Sequence, residues 1–282
     1  MLKKTVIQFV LFAFICFHSF SQDGKLEKAK ESLKTTNSSG NFGTVSAKSS
    51  NAPSTTRNND VSGVENPFAR IIWYVAAYTV YGVVFESPWE MKGRMSTAEI
   101  SNYPYKEATY GNFIYTDDIN YNITRFDVYN HFLIESKNLY GNDFGVDFRF
   151  LKRFALDINY TTFFEKINSN RTTFNMFSAV LKYHRIRTQR FDAWFGLGFR
   201  HIFNDVHKTR FLIGFGGEIF IAKPVSLVAS HKWATVNSQS VRNTKLLVKY
   251  NIKNYRIATG YEQYKLGVSK INAFSIGLEA SF

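Results

Sequence analysis

FALDINYTTFFE, residues 154–165, sets Phe154, Leu156, Ile158 and Tyr160 at one parity and Asp157, Asn159 and Thr161 at the other. Successive side chains of a strand point to opposite faces, so a strand separates these two sets and a helix of period 3.6 mixes them. The alternation recurs downstream. RFDAWFGLGFRH, 190–201, opposes Phe191, Ala193, Phe195, Leu197 and Phe199 to Asp192, Trp194, Gly196, Gly198 and Arg200. RFLIGFGGEIFIA, 210–222, opposes Phe211, Ile213, Phe215, Ile219 and Ile221 to Leu212, Gly214, Gly216 and Glu218. Segments at 123–136, 143–150, 172–185, 225–236, 241–252, 255–264 and 271–282 complete a series of about ten between Ile123 and Phe282. In 172–185 the two faces are the least distinct.

Tight turns are predicted near Leu151–Lys152, Arg187–Gln189, Lys223–Pro224 and Ile252–Asn254, and longer polar loops near Lys137–Asn142, Lys166–Arg171, Asn204–Lys208, Asn237–Ser240 and Lys265–Lys270. The two kinds alternate, as in a membrane barrel with short periplasmic turns and longer external loops. Counting back from a periplasmic C-terminus puts every tight turn inside. The fold expected is all-β: a transmembrane antiparallel up-and-down β-barrel occupying 67–282, best supported over 123–282. The run IIWYVAAYTVYGVVF, 71–85, is apolar at both parities and reads as a strand slightly better than as a helix. With it ascending and ATYGNFIYT, 108–116, descending, the count is twelve strands; without them it is ten, the second choice, even counts keeping both termini on one side.

Composition agrees. The 282-residue chain is 45% hydrophobic and 17% aromatic, with 28 Phe and 16 Tyr, yet its mean hydropathy is only -0.21. A barrel alternating lipid-facing and lumen-facing residues has this profile. Residues 1–22 read as a cleaved export signal: Lys3 and Lys4, an apolar run from Val6 to Phe17, then Ser19, Ser21 and Gln22. Cys16, the single cysteine, falls inside it, which leaves no disulfide or thiolate ligand to the mature chain. Residues 23–66, polar and rich in Ser, Thr and Asn, read as a flexible periplasmic tail with at most a turn or two of helix at its start. The net charge of +13 suits anionic lipid headgroups and lipopolysaccharide phosphates; an exported chain does not meet nucleic acid.

The last segment, INAFSIGLEASF, puts Phe274, Ile276, Leu278, Ala280 and Phe282 on one face and ends on an aromatic residue. It resembles the terminal strand of bacterial outer-membrane barrels, and the signal cut just before Gln22 with the many small aromatic-rich strands looks like barrels from Bacteroidota. That resemblance implies recognition of Phe274, Ile276, Leu278 and Phe282 by the barrel-assembly machinery, and an outer-membrane location with both termini in the periplasm.

No HExxH, GxSxG, P-loop or EF-hand loop is present. Gly196, Gly198, Gly214, Gly216 and Gly217 lie inside strands with no helix following, so they make room in a wall rather than cradle phosphate. His231 shares parity with Leu227, Ala229 and Trp233 and is the best candidate for a lipid-hydrolase histidine. Its expected cross-strand neighbour is Thr244, not serine, so no nucleophile–base pair forms and no enzyme is expected. His131 falls at lumen parity and reads as part of a polar network before a metal site, for want of convergent ligands. The inward set expected to form that network includes Arg125, Asp127, His131, Asp157, Asp192, Arg200 and Glu218, with Glu135, Asp147, Arg149, Glu165, Trp194, Lys245, Lys249, Arg256 and Glu262 beside them. Mixed charge in so narrow a cylinder predicts a plugged lumen. The function expected is a non-porin outer-membrane barrel without cofactor, with a binding or assembly role as accessory subunit of an envelope complex; a lipid hydrolase and a narrow channel for small or hydrophobic solutes are the alternatives.

Overall fold

The computed structural model describes residues 24–34, 97–106, 110–115, 124–167 and 169–282. Ten antiparallel strands close into a barrel: β3 (Arg125–Ile134), β4 (Leu139–Phe150), β5 (Phe154–Ile167), β6 (Asn170–Arg187), β7 (Phe191–Ile202), β8 (Lys208–Ala222), β9 (Val225–Val236), β10 (Gln239–Ile252), β11 (Tyr255–Leu266) and β12 (Ser269–Ser281). Each strand pairs with its neighbours in sequence, and β12 closes on β3 with Gly277 opposite His131. The Phe126 and Phe282 backbones exchange N–H···O bonds of 3.0 and 2.8 Å at that seam.

Ten is therefore the strand count, and twelve is corrected. Closure leaves no free edge for two further strands. Of the segment 108–116, only β2 (Phe113–Tyr115) is a strand, and it pairs outside the wall with β1 (Ala98–Ile100), Ile100 opposite Phe113. The run 71–85 lies outside the described residues. The contrast in connection length is also nearly absent: strands run further than their polar ends suggested, leaving two to five residues at one mouth and two or three at the other.

Apolar residues face outward all round, with Phe144 48%, Leu197 53%, Phe215 58% and Leu278 67% exposed. Polar and charged residues of opposite parity are buried inside. The segment at 172–185 hid its facing because its inward positions Phe174, Met176 and Val180 are as apolar as its outward ones, and an irregularity between His184 and Ile186 shifts parity past its end.

The most consequential difference is at residues 25–34. At the start of the expected flexible tail, where a turn or two of helix was allowed, α1 (Lys25–Lys34) is a ten-residue helix; the rest of that tail lies outside the described residues. Leu26, Ala29 and Leu33 form one stripe and are fully buried against inward side chains of nine strands, among them Leu133, Phe163, Phe174, Val236, Tyr264 and Ile271. Burying each leucine contributes about 1.5–3 kcal/mol. This helix sits at the mouth formed by the connections near 136, 168, 205, 237 and 267, whereas Phe282 lies at the other. Residues 24–34 and the C-terminus thus occupy opposite mouths.

Candidate functional site

The candidate site is the barrel interior and its two closures. At the helix mouth, Glu165 of β5 accepts hydrogen bonds from the backbone N–H groups of Gly24, Lys25 and Leu26 at 3.1, 3.0 and 2.8 Å. Three of the four orphan donors at a helix start, together with its positive dipole end, favour a carboxylate in this position. The Lys25 ammonium pairs with Glu135 at 2.7 Å. At the other end of α1, the Asn237 amide donates to the Leu33 carbonyl at 2.5 Å. Asp205, in the 3-10 turn Asn204–Val206, meets Lys30 and Lys34 at 3.5 and 3.4 Å. Lys30 and then Lys34 hold its exposed carboxyl below the usual range.

The second mouth is closed by residues 97–106 and 110–115. Arg187 donates to the Ala98 carbonyl at 2.9 Å, and Lys152 pairs with Glu99. Tyr105 donates to the Val225 carbonyl at 2.6 Å and packs edge-on against Phe220. Burial, then the Glu218 carboxylate, push its phenol up to about 12, against the Arg190 charge. The backbone passes so close to the wall here that a Cβ on Gly111 would meet the Gln189 carbonyl oxygen at 2.3 Å.

Between the closures lie the predicted lumen residues, in several clusters rather than one network. Arg125 donates to Asp127 at 2.9 Å, and Arg256 bridges Asp127 at 3.1 Å and Glu279 at 2.9 Å. Asn112, from the closing segment, joins the Arg125 group to Asp192 and Glu218. Asp192 takes Arg149 at 2.7 Å and His184 at 2.6 Å. Asp157 lies between two ammonium groups, Lys182 at 2.7 Å and Lys232 at 3.0 Å. Arg200 stands apart from these ion pairs: it donates to the Ser178 hydroxyl at 3.0 Å and the Val241 carbonyl at 3.4 Å. The charged layer leaves a cavity of about 110 Å³, room for roughly three or four waters at about 30 Å³ each.

Six participants escaped the sequence reading: Asp143, Lys182, His184, Arg187, Lys232 and Glu279. Lys182 and His184 share the inward face of β6 with the apolar Phe174, Met176 and Val180, and Arg187 follows the parity shift past His184. Lys232 and Glu279 were legible, since each stands opposite in parity to an outward neighbour already assigned, His231 and Leu278.

His131, Asp143 and Glu262 bring potential metal-ligand atoms within 4.8 Å of one another. Their environment serves another cation. Lys245 pairs with Asp143 and lies 3.2 Å from Glu262. Tyr264 and Ser275 donate to Glu262 at 2.7 and 3.0 Å, and Asn159 and Thr161 to Asp143 at 2.8 and 2.7 Å. Both carboxylates are saturated by side chains of this protein, so the cluster is a structural ion-pair network.

On the outer wall His231 and Thr244 are cross-strand partners, 2.8 Å apart from Nδ1 to Oγ1. They stand at one end of an apolar groove of about 770 Å³ whose other members include Phe191, Phe215, Ile219, Leu227, Leu246 and Val248. Phe274, Ile276, Leu278 and Phe282 share the outward parity of β12.

No protein-family model matches this chain, and no curated protein is similar to it in sequence. Solved structures with a similar wall include Ail of Yersinia pestis in a phospholipid bilayer nanodisc, with 13% identity, 57% of this chain and 100% of Ail covered, and a TM-score of 0.34. An outer membrane channel from Pseudomonas putida F1 has 9% identity, coverages of 59% and 100%, and a TM-score of 0.36. The N-terminal β-barrel domain of Pseudomonas aeruginosa OprF has 14% identity, coverages of 56% and 96%, and a TM-score of 0.27.

Proposed function

We propose that this chain is an outer-membrane barrel that does not conduct, and that it works as an accessory subunit of an envelope complex through its surfaces. The observation that carries this reading is the double closure. Helix α1 fills one mouth, residues 97–106 and 110–115 fill the other, and ion-paired side chains occupy the layer between. A solute path would have to displace buried charges from their partners, each at a cost of several kcal/mol. The apolar exterior supports a lipid setting, because an outward apolar band with polar groups turned in inverts the arrangement of a water-soluble fold. Outward basic residues at both rims, Lys166, Arg171, Arg242, Lys265 and Lys270 at one and Arg153 and Lys253 at the other, suit anionic headgroups.

Planar-bilayer recording on the purified full chain is expected to show no stable porin-like steps. Such steps would overturn the closed reading and promote a diffusion channel. Gentle extraction from native membrane is expected to bring a second envelope protein in fixed ratio. A barrel that extracts alone and monodisperse would reject the accessory role.

A further inference from the structure

The outer wall from β7 to β12 carries three chemistries that follow one another along β10 at Arg242, Thr244 and Leu246, with a basic row spreading over β10 to β12 and an apolar groove over β7 to β10. Nearest the helix mouth, Arg242 stands opposite Lys265, and Lys265 opposite Lys270. Like charges directly opposed across strands repel, and no carboxylate among the described residues pairs with any of these three. The next outward row is neutral and hydrogen-bonding: His231 opposite Thr244, Thr244 opposite Gln263, Gln263 opposite Asn272. Beyond it the wall becomes the apolar groove of about 770 Å³, deepened by the small residues Ala193 and Ala229. With strands roughly 4.8 Å apart the basic row spans about 10 Å, and the distance from Arg242 to Val248 is about 20 Å at roughly 3.3 Å per residue.

Cations, then neutral donors and acceptors, then a channel for hydrocarbon is the order of groups in a phosphate-bearing lipid. We infer that this face is a specific site for such a lipid. The phosphate lies on Arg242, Lys265 and Lys270, the ester or hydroxyl groups lie at His231 and Thr244, and one acyl chain lies in the groove past Ala229 and Leu246. The bound phosphate removes the repulsion that the bare row carries. This inference rests on the membrane reading above.

Native mass spectrometry of the full chain folded in detergent tests it, with dimyristoyl phosphatidylglycerol, dimyristoyl phosphatidylcholine and inorganic phosphate as probes. The anionic lipid is expected to be retained at least fivefold better than the zwitterionic one. That preference disappears in Arg242→Gln/Lys265→Gln/Lys270→Gln. Retention falls in Ala229→Leu, which fills the groove without touching the cations. All replaced side chains face outward, and heat-modifiable gel mobility checks that both variants are folded. Equal retention of the two lipids, or an unchanged preference in the triple variant, overturns the site. Full displacement of the lipid by millimolar inorganic phosphate overturns the acyl groove. Bilayer insertion is scored separately: insertion without lipid preference rejects this site alone, whereas failure to insert rejects the membrane reading and this site with it.

Discussion

Glu165 and Leu26 are 139 residues apart in the chain, and a 2.8 Å hydrogen bond joins the carboxylate of the first to the backbone N–H of the second. One oxygen of that carboxylate takes Leu26, and the other takes Gly24 and Lys25. A wall residue thereby supplies the cap that the helix sequence lacks.

Replacing Glu165 with Gln keeps the shape and removes the charge. The loss is expected to be about 1–2 kcal/mol of α1 docking, from weaker charge-assisted bonds and the lost dipole interaction. Amide hydrogen exchange over 25–34 should accelerate while exchange across the wall stays slow. Equal protection in the variant would show that the leucine stripe alone holds the helix.

Asp157 is shared by Lys182 and Lys232. Asp157→Asn strands the Lys232 ammonium inside the barrel, while Lys182 keeps Asp147 at 2.7 Å, with an expected cost of about 3–5 kcal/mol. The temperature at which the folded gel band converts to the unfolded one should fall. Replacing Asp157 and Lys232 together with apolar residues of similar volume should recover most of that loss, because an absent charge needs no partner and Lys182 stays paired with Asp147. A single variant as heat-resistant as the parent would show that water reaches these lysines.

Gly111→Ala places a methyl group where the Gln189 carbonyl oxygen and the Phe220 ring already lie, 2.3 and 2.6 Å from the ideal Cβ position. Residues 110–115 must then withdraw from their mouth, carrying Asn112 away from Asp192 and Glu218. Limited proteolysis should cut this segment in the variant and spare it in the parent. A larger single-channel current in the variant would be a second readout.

Asp205 has its carboxyl pKa depressed by Lys30 and Lys34, so the sign of its pH dependence is set. Its contribution to holding the end of α1 is fully present above the ordinary carboxylate range and is lost as pH falls through the depressed value. Acidification should therefore loosen the last turn, read as faster exchange near Lys34 after correction for intrinsic rates. Asp205→Asn should remove this acid response, and being fully exposed the site should respond to salt in the same direction.

The wall was legible because its signal is local. In FALDINYTTFFE each side chain declares its face by its neighbour, and the register of His231 with Thr244 follows from counting through one short turn. Both closures were illegible for the opposite reason. KLEKAKESLK has only three buried apolar residues, and a helix of ten residues is marginal alone; its stability comes from Phe163, Tyr264 and Glu165, far away in sequence. Phe113, Ile114 and Tyr115 resemble a wall strand in composition, and nothing local reveals that the ring has closed without them. The lumen clusters were half legible: parity said which groups point inward, but which cation meets Asp157 depends on the stagger of strands around the ring.

The docking of α1 also sets an order of events. Its partners Glu135, Glu165, Asn237 and Ser269 lie 110, 140, 204 and 244 residues from their bonded groups in residues 25–33, and they sit on strand ends and connections that reach one rim only when β12 has joined β3. Contacts of such long range form late. The seating of this short N-terminal piece is therefore the last act of assembly, and a label on α1 would report, molecule by molecule, which rings have been sealed.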